Sequence, residues 1–556
     1  MAVIETTRPA CELERDATKV VTQFREILLW PLQLMPLKEG LQIHHHWELL
    51  TSAENSPWEE LLDEFVVDPA QFQERHYREF VTFLPHVQRF LYGEESKSGH
   101  SGNRESPLRV YRRNDISAVR LHLDQQLEAA VLNIKHVDLY FFYDVDVVML
   151  VLEVHASDLP LQLVEEIMFL FGRAYPRGWA EDGAAFHCPR RAEWLAADGR
   201  VLAASDFDNR EKFLASVCRH RAAAIAAHWE YLLEPMVPHH SARSGALRYR
   251  QIEYYRMPIM AYLALEDPQV LTRADYVRLA FGTAPGDALP FSSCFLERFE
   301  TEYCYDRYFE GMSRQGWSDI RMMCCGHGFI MVGDARSPFF TDPERGLLGQ
   351  FRHQYFVLGL LAHFHRAALL MLSDRLVSAV KRLNIAEEAS IRRFRRDIRQ
   401  TLEIFLRFTH RYWYHQVTDQ GQLRDLFQMW TRHLGSKQLY SEVRDELHDM
   451  GRYLDSDMLR RQSNTIVRLT AVTIFGLIGV TVTGFFGMNL LSWVGEPLLD
   501  RVLFFLVVLI PTVALTLYTI LKSRRLAEFL DTLSDERLTR RQKLIAFRKV
   551  WSSPDR

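Results

Sequence analysis

Three groups of side chains in this sequence have the right types for chemistry, in very different surroundings. His44, His45 and His46 could ligate a transition metal. Consecutive residues point in different directions in regular structure, so a surface or partly buried patch is the better expectation. Cys324-Cys325-Gly326-His327 puts thiols beside an imidazole, but no partner base and no zinc spacing accompany it, and a buried strand is expected there. The third group tells most. Gly487-Met488-Asn489 closes a charge-free apolar run of 20 residues from Leu469 to Met488, and polar groups recur within that run.

A second 20-residue apolar run, Val502 to Leu521, follows after a short loop. At about 1.5 Å per residue each run would span roughly 30 Å of helix, the thickness of a bilayer's hydrocarbon core. Arg460, Arg461 and Arg468 precede the first run, and Lys522, Arg524 and Arg525 follow the second. The loop between them holds Glu496, Asp500 and Arg501. The positive-inside rule then places both termini in the cytoplasm and the loop outside. One helical hairpin cannot enclose an aqueous path, so a pore requires several copies around an axis.

Stepping along the first run at helical spacing gives Ile466, Thr470, Thr473, Leu477, Val480, Thr481 and Gly484. Hydroxyls and glycines with apolar neighbours suit a narrow wet path with apolar constrictions. They suit tight helix packing equally well, because Gly476, Gly479, Gly484 and Gly487 let backbones approach. The pattern alone leaves both readings open.

Positioning these residues falls to a long helix. Val443, Leu447, Met450, Leu454 and Met458 recur at nearly heptad spacing, with Glu442, Asp445, Glu446, Asp449, Asp455 and Asp457 on the polar face. Only Gly451 interrupts Gln438 to Phe475, so a continuous helix is expected to carry the chain into the first span. From about Arg345 the character is helical. Tyr355 to Leu372 is apolar enough to compete as a span, but His363, His365 and Arg366 at its centre predict a buried cytosolic helix. Before it, Val137 to His155 predicts two adjacent strands broken near Tyr143-Asp144, an amphipathic helix is expected at Leu159 to Ala174, and Ile320 to Val332 predicts strands turning at Gly326 or Gly328. Hydrophilic loops are expected at 94–107, 238–246 and 282–290. The division is thus an α/β cytosolic domain with insertions (1–345), a cytosolic helical region with the stalk helix (346–465), a first span (466–489), an external loop (490–501), a second span (502–521) and a basic cytosolic tail (522–556).

Composition agrees with a small membrane part. A quarter of the 556 residues are charged, the formal net charge is -4 and the mean hydropathy is -0.16. That near-neutral balance gives no reason to expect nucleic-acid binding. Seven cysteines without regular spacing argue against a disulfide framework and for a reducing compartment. No basic region followed by an apolar core opens the chain, so no signal peptide is expected. No Walker-type glycine loop occurs, and an enzyme is not expected.

Gly487-Met488-Asn489 at the outer end of a penultimate span, a short outer loop and a final span with a basic end together resemble the CorA family of divalent-cation transporters. The resemblance covers Val443 to Arg525. It implies a funnel-shaped homopentamer in the cell (inner) membrane, with the stalk and first span of each copy around the pore. It makes Asn489 the ring at the outer mouth that binds the cation, with Gly487 and Met488 supporting the turn. It also shifts the stripe toward pore lining and adds Ser463 and Asn464 at the inner end. A ring of amide oxygens can hold Mg²⁺ through its reluctantly shed water shell. Asp445, Asp449, Asp455 and Asp457 become candidates for a regulatory cation, and no cofactor other than the transported ion is implied. The family's Met-Pro-Glu-Leu loop motif is missing, and Phe486 replaces a frequent Tyr. Glu496 and Asp500 are then the outer carboxylates, and Zn²⁺, Co²⁺ or Ni²⁺ stays open beside Mg²⁺. A membrane-tethered cytosolic sensor or enzyme is the rival reading.

Overall fold

The computed structural model describes residues 19–35, 45–51, 56–61, 74–93, 107–123, 128–245, 247–253, 256–286, 291–309, 319–384, 387–487 and most of 497–514. They fall into two compact units, Met1–Asp445 and Glu446–Arg556.

The first unit is built on one mixed sheet. Its strands are β1 (Val20–Met35), β2 (Trp58–Glu60), β3 (Leu108–Arg113), β4 (Ala118–His122), β5 (Ala130–Phe142), β6 (Val147–Pro160) and β7 (Arg191–Leu195). They continue with β8 (Val201–Ala204), β9 (Val237–Pro238), β10 (Arg248–Gln251), β11 (Ile259–Leu265), β12 (Cys304–Phe309), β13 (Asp319–Cys324) and β14 (Gly328–Asp334). The main path runs β12-β13-β14-β11-β1-β6-β5-β4-β7-β8. Its neighbours are antiparallel except for β11 with β14, where Ile259 pairs with Gly328.

The alternating side chains explain why the sheet is covered on both faces. Phe24, Leu28 and Trp30 of β1, Leu150 and Leu152 of β6, and Ala261 and Leu263 of β11 join one core with Val164, Ile167 and Trp229. Those last three lie on helices Leu161–Leu170 and Ala227–Leu233. The intervening residues face the other way, toward helices Phe356–Lys381 and Gly421–His433. There Tyr262 stacks on Phe340 at 4.6 Å, Phe142 on Phe364 at 3.6 Å and Phe329 on Trp430 at 4.9 Å. Buried on both sides, β6 reads as an unbroken apolar run from Val147 to Leu152 rather than an alternation. Gly359 lets two layers close. A Cβ there would lie 2.6 Å from Cη2 of Trp430 and 2.8 Å from Sδ of Met260.

The expected break at Tyr143-Asp144 is the β5–β6 turn, with Asp144 in the left-handed region (φ 61°). Its carboxylates fasten the helical layer. Asp144 meets Arg407 at 2.8 Å, and Asp146 pairs with His46 at 2.9 Å and with Arg375. Deeper in the sheet Glu153 receives Arg25 at 3.0 Å and Arg352 at 2.7 Å. Those guanidiniums hold its carboxyl below the usual range despite burial, which by itself pushes the other way.

Two expected elements are adjusted. The helix placed at Leu159 to Ala174 is shorter, Leu161–Leu170, because β6 runs on to Pro160 and Gly172 (φ 73°) turns the chain against Leu28. The strands at Ile320 to Val332 are β13 and β14, turning at Gly326 (φ 86°). The competing span at Tyr355 to Leu372 lies within the helical stretch Leu347–Lys381, whose helix Phe356–Lys381 packs on β1 and β6. Among the described residues one helical stretch, Leu347–Lys381, is long and apolar enough to cross a membrane, and 78% of its apolar window is buried inside the protein.

The loop expected at 94–107 lies almost wholly outside the described residues, as do 287–290 of the third loop.

Candidate functional site

The residues expected to line a path sit on one helix, Ser436–Gly487, uninterrupted over 52 residues. Val443, Leu447 and Leu454 of its apolar seam are buried and Met450 is half-buried. Beyond them the environment reverses. Leu469 is 67% exposed, Ile474 51%, Leu477 67% and Val480 69%, on a helix without a charge from Leu469 onward. Burying such surface is worth about 25 cal/mol per Å², so leaving these side chains in water is unfavourable.

Ser463, Ile466, Thr470, Thr473, Leu477, Val480 and Gly484 succeed one another at alternating steps of three and four, and each is exposed. Gly487 falls on the same line and is exposed at the helix end. Asn464 and Thr481 are helical, but their side chains lie outside the described residues, as do Met488, Asn489 and Glu496 altogether. Asp500 is exposed, and its N–H donates to the Pro497 carbonyl at 3.1 Å. The described part of the second run is helical in 502–514, and 515–521 lie outside it.

The threonines show what the stripe offers. Thr470 Oγ1 donates to the Ile466 carbonyl at 2.9 Å and Thr473 Oγ1 to the Leu469 carbonyl at 2.8 Å. Thr483 Oγ1 does the same with Gly479 at 3.0 Å. Each hydroxyl proton is therefore spent on the helix's own backbone, and what the oxygen turns outward is acceptor lone pairs. Acceptors without competing donors suit a cation or its water shell.

Among the described residues the acidic face is dispersed along the helix. Asp445 pairs with Arg444 at 3.0 Å, Asp449 with Arg452, and Asp455 is exposed; the Asp457 side chain lies outside the described residues. Among the described residues no group of three or more His, Cys, Asp or Glu side chains could hold a metal ion.

His46 is buried against Asp146 while His45 is exposed, edge-on to Trp47 at 5.2 Å; His44 lies outside the described residues. Cys324 is wholly buried, and desolvation pushes its thiol well above the usual value. Cys325 Sγ donates to the Ala280 carbonyl at 3.0 Å. His327 is pushed down to about 4 by burial, aided by Arg366 and Arg256, so it stays neutral. His365 is likewise lowered to about 4 by burial, its Nε2 2.6 Å from the Tyr412 carbonyl.

One concave feature was not legible in the sequence. A cavity of 690 Å³ lies among helix Arg210–His220, the segment around His239, β10 and helix Phe356–Lys381. Its residues come from stretches more than a hundred positions apart, so no local spacing marks it. The paired His239-His240 in an otherwise hydrophilic loop was the sole local signal.

No family model matches this sequence, and neither a curated protein nor a solved structure matches it.

Proposed function

We propose that this chain is a membrane channel or transporter for divalent cations, Mg²⁺ first, working as a ring of several copies. The observation that carries this is the exposed apolar segment of helix Ser436–Gly487 with a hydroxyl and glycine stripe along it. Lipid and neighbouring copies supply the cover that the chain itself does not. The stripe then faces the axis, and its outward lone pairs meet the ion's water. In the CorA-like arrangement five copies surround the pore, the second run lies outside the first, and Asn489 rings the outer mouth. An inside-negative potential contributes roughly 2.3 kcal/mol per charge per 100 mV, and twice that for a divalent ion, so entry needs no ATP. The proposal includes both spans, the hairpin topology with cytoplasmic termini and the location in the cell membrane.

The test is flux. Purified protein in liposomes under an inside-negative potential is expected to admit Mg²⁺, and Asn489→Ala to reduce that flux severely. Parallel runs with Zn²⁺, Co²⁺ and Ni²⁺ identify the preferred ion. Absence of flux for all four ions from the wild-type protein would overturn the reading in favour of a tethered sensor. A monomer or dimer by mass in detergent would contradict the ring.

A further inference from the structure

The 690 Å³ cavity of the first unit falls within the roughly 300–1,000 Å³ typical of small-molecule sites. Its polar groups are graded by depth. At the rim, helix Arg210–His220 turns Lys212, Ser216 and Arg219 inward at spacings of four and three. Lys212 is already engaged, at 2.7 Å from Asp206 and 3.4 Å from Glu230, whereas Arg219 has no carboxylate partner among the described residues. Beside it His220 and His240 stack nearly parallel at 4.8 Å. Burial, with His220 and Arg250 nearby, lowers His240, and the stacked pair presents ring faces next to the Arg219 charge.

The floor differs in kind. Tyr249 is fully buried and its Oη has no hydrogen-bond partner among the described residues. Gln251 Nε2 and Glu253 Oε2, also at the cavity wall, are likewise buried without a partner among the described residues. Glu253 gives its other oxygen to Arg366, and desolvation, opposed by that guanidinium, raises its carboxyl. Three orphaned polar atoms around one cavity are unusual, because buried polar groups are nearly always satisfied. Two are donors and one an acceptor. They match a neutral, hydrogen-bonding molecular end, while the rim matches an anion.

We propose that this cavity binds a phosphate-bearing metabolite of nucleotide size, its phosphate at the Arg219 rim and its neutral polar end on Tyr249, Gln251 and Glu253. The site belongs to the first unit and stands independently of cation transport. A ligand there would give the large soluble unit a sensing role.

Calorimetric titration of the full-length protein in detergent and magnesium-free buffer tests this with three probes: ATP, AMP and inorganic phosphate. Saturable binding of a nucleotide is expected, with inorganic phosphate much weaker. Arg219→Ala should weaken nucleotide binding about tenfold, the scale of one charge-assisted contact. Tyr249→Phe is the sharper variant. It removes a hydroxyl that bonds nothing among the described residues, so the melting temperature should hold or rise while affinity falls several-fold. No binding of any probe at millimolar concentration would overturn the proposal. So would nucleotide affinity unchanged in both variants, and phosphate binding as tightly as AMP would overturn the two-ended occupant.

Discussion

Two apolar helical stretches of this molecule, similar in composition, have opposite surroundings. Helix Phe356–Lys381 is covered by the sheet and by neighbouring helices, with Leu358, Leu361 and Leu372 fully buried. It tolerates His365 and Arg366 because the fold supplies partners: Arg366 reaches Glu253 and the Leu434 carbonyl, and His365 reaches the Tyr412 carbonyl. His363 is pushed well below its usual value by burial and is accommodated neutral. The segment from Leu469 to Gly487 has no charge or imidazole, and its Leu469, Ile474, Leu477 and Val480 stay exposed. An apolar helix that carries ionisable groups can be completed by its own chain; one stripped of them while left uncovered calls for lipid or other copies.

The same charge placed in each helix separates the two cases. Leu361→Arg buries a cation with no partner prepared for it and should cost more than about 4 kcal/mol, unfolding the first unit. Leu477→Arg should leave that unit's melting unchanged and instead impair membrane insertion, at about 3 kcal/mol for a central arginine. Thermal melting and membrane fractionation of both variants check this. Loss of melting cooperativity in Leu477→Arg would erase the contrast.

Within the covered region the contact of Trp430 with Phe329 and Gly359 is expected to dominate. Trp430→Ala leaves a void where the helical layer meets the sheet, and also leaves the Gly326 carbonyl without its 3.0 Å donor. A loss of about 3–5 kcal/mol in denaturant unfolding is expected. A loss under about 1 kcal/mol would mean that the layer packs more loosely than the ring stacks indicate.

Glu26 gives a pH-dependent measure of the same burial. It is fully buried in β1, neither carboxyl oxygen has a partner among the described residues, and desolvation, only partly offset by Arg256, pushes it up to about 8 from 4.5. The folded protein therefore keeps a proton that the unfolded chain releases between pH 4.5 and about 8. Stability contributed by this group should fall as pH rises across that window, by at most about 1.4 kcal/mol per unit. Glu26→Leu should flatten that slope and raise stability at pH 8, read from melting curves across the pH range.

What the sequence disclosed follows the range of the interactions. The β5–β6 turn, the β13–β14 turn and the uninterrupted long helix were legible because their signals are local: a polar break in a β-branched run, a glycine, an unbroken heptad seam. The core placement of Phe356–Lys381 was legible from the cost of His363 and Arg366 in lipid. The order of the sheet was not, because β1 lies between β6 and β11 through pairings such as Ile27 with Glu153 and with Met260. The cavity was hidden for the same reason, since Arg219, Tyr249 and Glu253 meet only after the sheet closes. Of the candidate site, the stripe spacing was readable, whereas the backbone bonds of Thr470 and Thr473 emerge only with coordinates.

Those bonds set up the finest comparison between a covered and a wet face. Thr473→Val keeps the side-chain shape and removes a hydroxyl whose proton already serves the Leu469 carbonyl. On a face packed against lipid or helix the change should be near neutral, within about 1 kcal/mol, because a backbone carbonyl in a helix keeps its main-chain donor. On a face lining an aqueous path it also removes, from every copy, an oxygen that offers lone pairs to the ion's water, and Mg²⁺ flux should fall several-fold with assembly and melting unchanged. Val480→Thr, on the same stripe, should act in the opposite sense by wetting an apolar step. Flux unaffected by both substitutions would assign the stripe to helix packing, and the path would then have to run along a different face of the helix.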